Sequence, residues 1–235
     1  MHIMEGYLPW YWCVFWFAIA LPIVFWGTKK VIKIIRENPD QKILIALSGA
    51  FIFLLSSLKL PSVTGSSSHP TGTALSAVLF GVACTAFLSL IVLIFQALLL
   101  AHGGLTTLGA NCFSMGIAGP ALGFTVWILL RKVLSAKNQI PVVMMISAFA
   151  ANLFTYVVTA IQLTLAHGMN DPLNNFITFM TTFAVTQIPL AIIEGILFAM
   201  FAQYLLTSRP QVFDAAAGEK FGKDKKKDQE SVMEA

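Results

Sequence analysis

Charge is what this sequence has least of. Asp, Glu, Lys and Arg make up 11% of its 235 residues, where a soluble domain carries about 25%. With 57% hydrophobic residues and a mean hydropathy of +0.78, that shortage excludes a soluble globular domain and calls for a polytopic membrane protein. No Lys or Arg precedes Lys29, so the start of the chain does not read as a secretory signal, which opens on basic residues. Cys13, Cys84 and Cys112 are odd in number and far apart. They form neither a disulfide framework nor a finger-like metal cluster. No Gly-x-x-x-x-Gly-Lys-[Ser/Thr] loop is present, which excludes ATP hydrolysis by this chain, and no His-Glu-x-x-His or paired nucleophile and base suggests an enzyme.

What is present is a series of apolar runs between short polar ones. The spans read as Leu8 to Gly27, Ile43 to Leu58, Thr73 to Ala101, Phe113 to Leu130, Ile140 to Leu165 and Phe176 to Leu206. Basic residues cluster at Lys29–Lys42, at Arg131, Lys132 and Lys137, and in the mixed-charge stretch from Arg209 to Ala235. That composition divides the chain into a transmembrane domain, 1–208, and a disordered cytoplasmic tail, 209–235. The run from Thr73 to Ala101 decides the topology. As one pass it puts the Arg131–Lys137 cluster on the side opposite the Lys29–Lys42 loop, against the positive-inside rule. As two passes turning near Gly81 to Thr85 it puts every basic cluster on the cytoplasmic side. The limbs are then short, about 21 Å against a core of about 30 Å, which requires a short helix sheltered by its neighbours. The expectation is an all-α polytopic protein of about seven transmembrane segments with its N-terminus outside.

This topology gathers all four histidines, His2, His69, His102 and His167, on the external face. The first carries its own chemistry. With a free α-amine on Met1, three nitrogens lie within one chelating reach: that amine, the His2 amide nitrogen and the His2 Nδ1. A divalent ion binds all three in fused rings, displacing the amide proton. One more imidazole completes a planar four-nitrogen set, which suits Ni(II) or Cu(II) by geometry. Spacing alone does not say which histidine supplies it.

Three stretches carry a resemblance. Met1-His-Ile-Met-Glu-Gly6, the loop from Lys59 through Ser-Ser-Ser-His-Pro-Thr-Gly to Gly72, and Leu99-Leu-Ala-His-Gly-Gly-Leu-Thr-Thr-Leu-Gly-Ala-Asn111 resemble the CbiM/NikM family over residues 1–206. These are the substrate-binding S components of energy-coupling-factor (ECF) transporters for cobalt and nickel in prokaryotic cell membranes. The resemblance implies a six-helix S-component core with one extra N-terminal helix. It implies an ion site made of Met1, His2 and His69, with Co(II) or Ni(II) as cargo rather than a resident cofactor; cobalt is slightly favoured. It also implies partners: a transmembrane coupling subunit (T component), ATPase subunits and a small auxiliary membrane subunit. Ser67 stands where a cysteine is common in the family, with no effect expected on ligation.

Around this site His102, Asn111, Ser68 and Thr71 are candidates to support the ligands, His102 also as a fifth ligand. His167 reads as solvated. Glu194, the only carboxylate deep in a span, is a functional candidate by position. Its expected depth, far from the ion, assigns it to helix packing or partner contact, and the alternative reading of the chain, an ion-coupled secondary transporter, would use it. The small-residue pairs Ala46/Ala50 and Gly119/Gly123 are candidate coupling surfaces.

Overall fold

The computed structural model describes residues 2–61, 66–209 and 212–213. Its long helices are α1 (Trp10–Glu37), α2 (Gln41–Ser57), α4 (Val82–Leu100), α7 (Ile140–His167) and α8 (Pro172–Ser208). A short α3 (Thr73–Phe80) precedes α4, and α5 (Leu108–Asn111) continues through a π-helical stretch, Cys112–Ala118, into α6 (Gly119–Val133). Five of these rods are long and apolar enough to cross a membrane, and α2 is a shorter apolar helix. Large side chains such as Trp10, Phe25, Trp26, Val185 and Met200 point outward, as lipid contact requires.

The run from Thr73 to Ala101 is broken at Gly81, whose φ of 85° and ψ of 164° belong to a region that L side chains avoid. The chain reverses there. Lys30, in the last third of α1, donates from Nζ to Phe80 O at 2.9 Å, so the break lies at the basic end of the bundle. The residues before Thr73 and after Leu100 meet at the other end, around His2. The expected reversal is therefore present, but its limbs are unequal, 8 and 19 residues, or about 12 and 28 Å, and only the second is long enough to cross a membrane. The polar loop before Thr73 makes up the difference by descending into the bundle. Every residue from Ser66 to Val78 is buried, and irregular backbone at such depth is tolerated only inside protein. Gly72 lets it fit, with φ of 73° and a position where a Cβ would stand 2.9 Å from Ile52 Cα.

Three short strands fix the ends of that loop. β1 (His2–Ile3) and β2 (Leu60–Pro61) flank β3 (Ser66–Ser68), both antiparallel, with His2 opposite Ser67 and Leu60 opposite Ser68. Helices α7 and α8 pack along their length, α6 lies on α7, and α1 lies on α4.

Some expectations are corrected. Lys29, Lys30, Lys33 and Arg36 stand on α1 rather than in a loop, because nothing interrupts the helix before Asn38-Pro39. Gly119 and Gly123 serve the chain's own packing, not an open surface: a Cβ on Gly119 would meet Thr155 Oγ1 and one on Gly123 would meet Ala151 of α7. The packed core also reaches past Ser208. Phe213 is buried, its ring 6.0 Å from that of Trp127, while residues 210, 211 and 214–235 of the expected tail lie outside the described residues.

Candidate metal centre

His2, His69 and His102 come together at the loop end of the bundle, from three distant parts of the chain. One ring nitrogen of each lies within 4.8 Å of the others. The His2 ring stacks on His69 at 4.3 Å and meets His102 edge-on at 4.3 Å. All three are buried, two of them with no exposed surface.

Each ring is set by its neighbours. His69 Nδ1 lies 2.8 Å from Pro70 O. A carbonyl only accepts, so Nδ1 carries the proton and Nε2 keeps its lone pair. That Nε2 is buried with no hydrogen-bond partner, the arrangement of a second-ring nitrogen that fixes the tautomer of a metal-binding imidazole. His102 Nε2 lies 3.1 Å from His2 Nδ1 and 2.7 Å from Ser67 Oγ. His2 Nε2 and His102 Nδ1 are likewise buried without a partner. Burial holds His2 and His69 well below the ordinary imidazole pKa and pushes His102 down to about 3. The rings are therefore neutral at physiological pH, the form that binds metal.

The N-terminal segment is fastened over this cluster. Ile3 N–H donates to Asn111 Oδ1 at 2.7 Å, and Ile3 O accepts from Asn111 Nδ2 at 3.0 Å and Thr107 Oγ1 at 2.8 Å. Glu5 accepts from the Thr106 N–H at 3.2 Å and from its hydroxyl. His167, exposed and apart from the other three histidines, bonds through Nε2 to Tyr7 O at 2.7 Å. Met1, the expected amine ligand, lies outside the described residues, as do residues 62–65 of the loop motif.

The other candidates divide by what they hold. Asn111 holds the N-terminal segment, whereas Ser68 and Thr71 hold the His69 turn. Ser68 Oγ meets Thr186 Oγ1 at 2.8 Å, and Thr71 donates its N–H and hydroxyl to Glu194 at 2.7 and 2.8 Å. Glu194 is thus not remote from the cluster in depth, because the loop descends to meet it. Ser67, expected to be without effect, is a direct partner of His102. Sequence reading missed Thr107, Asn152, Thr186 and Gln187. Asn152, Gln187 and Glu194 were detectable as rare polar residues inside apolar spans, and 187 and 194, seven apart, share a face of α8.

Comparison with known proteins shows the family. Residues 2–212 match the model of a family described as the cobalt uptake substrate-specific transmembrane region. A putative cobalt transport protein CbiM 2 of Methanocorpusculum labreanum is 55% identical over 213 residues, covering 90% of this chain and 91% of that protein. A putative cobalt transport protein CbiM of Methanococcus voltae is 51% identical over 222 residues, covering 94% and 98%. The crystal structure of a truncated transition metal transporter superposes with a TM-score of 0.76 at 27% identity, covering 88% of this chain and 99% of that one. The chain is a multi-pass membrane protein and belongs to the CbiM family of cobalt-uptake transmembrane components.

Proposed function

We propose that this chain is the ion-capturing S component of an ECF-type importer, and that it takes Co(II), or Ni(II), at its own N-terminus. The ligands are the Met1 α-amine, the His2 amide nitrogen and Nδ1, and His69 Nε2. One observation carries the reading: three neutral, buried imidazoles converge, and one of them is the second residue of the chain. An isolated buried imidazole is an unremarkable core residue; three whose ring nitrogens approach within 4.8 Å, with His69 Nε2 left unpaired, suit a cation. Two fused chelate rings compensate for displacing the amide proton. The donors are all nitrogen, which favours late first-row ions over Mg(II) or Ca(II).

The basic clusters on α1 and at the α6–α7 turn lie at the end away from the histidines, so the positive-inside rule puts the site outside. Lacking a P-loop, the chain takes its energy from ATPase subunits through a transmembrane coupling subunit, with a small auxiliary membrane subunit. Both Glu194 oxygens are engaged by donors, which speaks against Glu194 as the carrier group of an ion-coupled secondary transporter.

The test is the chain start. Residues added before Met1 convert its amine to an amide and remove one nitrogen, while leaving every side chain. The extended protein is expected to reach the membrane and to lose Co(II) binding in equilibrium titration. Binding as tight as that of the chain starting at Met1 would overturn the N-terminal site.

A further inference from the structure

Glu194 is fully buried within α8, and four donors converge on it. Thr71 N–H reaches Oε2 at 2.7 Å, the Thr71 hydroxyl reaches Oε1 at 2.8 Å and Gly72 N–H reaches Oε1 at 2.8 Å. The Asn152 amide completes the set on Oε2. A carboxylate offers two oxygens and about four lone-pair positions and is acceptor-only, so these donors fill it and leave nothing for an ion. A buried acid is expensive, and helix packing alone needs only small apolar residues. What a carboxylate does that they cannot is hold two successive backbone N–H groups and a hydroxyl at once.

Those groups lie two and three residues after His69. A second arm reaches His69 itself: Gln187 Nε2 donates to Asn152 Oδ1 at 2.6 Å and to His69 O at 3.1 Å. The turn carrying His69 is therefore tied to Glu194 on both sides. Since His69 Nδ1 is bound to the carbonyl of Pro70, the ring turns with this stretch of backbone.

We infer that Glu194 is a positioning residue for ion capture, fixing the depth and rotation of the His69 turn so that Nε2 of His69 faces His2 and His102. The inference rests on the reading of His69 as an ion ligand. Outer partners of a metal-binding histidine are typically worth about 10–100-fold in affinity.

Co(II) titration and the d–d spectrum of bound Co(II) test it, on the full chain in detergent with its own N-terminus. The variants are Glu194→Gln, His69→Ala and the double variant. Glu194→Gln keeps the volume but turns an amide NH2 toward backbone N–H donors. It is expected to weaken binding about 10–100-fold and to change the spectrum. Against His69→Ala, whose remaining three nitrogens still bind measurably, it should cost almost nothing further, because the group it positions is gone. Wild-type affinity and spectrum in a folded Glu194→Gln protein overturn the inference, and so does a loss additive with His69→Ala. If Glu194→Gln does not fold, Thr71→Val, which removes one bond to Glu194, decides by the same cycle. Undiminished binding by His69→Ala alone overturns the site reading first and this inference with it.

Discussion

Asn111 grips Ile3 as a neighbouring strand would, accepting from its N–H at 2.7 Å and donating to its C=O at 3.0 Å. This side chain therefore sets how far the residue before Ile3 projects into the cluster of rings. Asn111→Ala leaves the Ile3 N–H buried and unpaired, at about 1–3 kcal/mol, and takes from Ile3 O one of its two donors, the other being Thr107 Oγ1. We predict a 10-fold or greater loss of Co(II) affinity with the helical content unchanged by circular dichroism. Asn111→Asp keeps the acceptor but not the donor and should fall between the two. Equal affinity in all three proteins would show that the grip has no bearing on the ion.

The histidines should differ in a fixed order. His69→Ala removes one of four nitrogens and is expected to weaken binding most. His102→Ala removes the neighbour of His2 Nδ1 and of Ser67, and we predict a smaller loss, about 10-fold. His167→Ala breaks an exposed bond to Tyr7 O and a ring contact with Tyr7, both away from the cluster, and should change affinity less than 3-fold. Calorimetric titration of the three variants gives the ranking directly; a loss in His167→Ala equal to that in His69→Ala would refute it.

Acid should act on the amine and amide, not on the rings. Burial lowers the pKa values of His2 and His69 and takes that of His102 to about 3, so these imidazoles stay neutral at mildly acid pH. Affinity should fall steadily from pH 8 to pH 5.5 with no added steepening near 6.5, the ordinary imidazole value. The sign for ion-free stability is also set. The unfolded chain takes up protons below about 6.5 and the folded one does not, so stability is full above that value and declines as pH falls below it. Thermal melts in chelator that are flat from pH 7.5 to 5 would contradict the lowered values.

Three glycines with positive φ provide a graded stability series. At Gly6 a Cβ meets nothing within 4 Å, at Gly81 it meets the side-chain end of Lys30, and at Gly72 it meets the backbone of Ile52 at 2.9 Å. Substitution by Ala should cost about 1–2 kcal/mol at Gly6 from the left-handed backbone alone, somewhat more at Gly81, and most at Gly72. Melting temperatures falling in another order would show that the loop is not held where the Gly72 contact places it.

Much of this was legible in the residues. Hydropathy gave the spans, and the basic clusters forced the reversal within Thr73 to Ala101 that Gly81 executes. The Met1-His2 start pointed to the end of the bundle where His2, His69 and His102 gather, and His102 and Asn111 lie in that neighbourhood. Depth was not legible. Apolar periodicity says which face of a helix meets lipid, but not how far a polar loop sinks between helices. Glu194 was accordingly placed far from a loop that descends to touch it. Asn152 and Gln187 read as isolated polar residues, because the partner that explains them is a main-chain carbonyl at His69, and main-chain groups leave no mark in a sequence. Gly119 and Gly123 looked like a surface for another protein because spacing does not reveal which neighbour uses it.

The complete burial of His2 and His69 bears on time as well as affinity. Among the described residues an ion seated there is covered, and the segment from Ile3 to Tyr7 is latched to Asn111, Thr107, Thr106 and His167. Exchange must wait for those latches to open together, so the residence time is set by a local unfolding rate rather than by breaking metal–nitrogen bonds. Ions of quite different bond strength should then leave at similar rates, and variants that loosen the latches should speed entry and exit together.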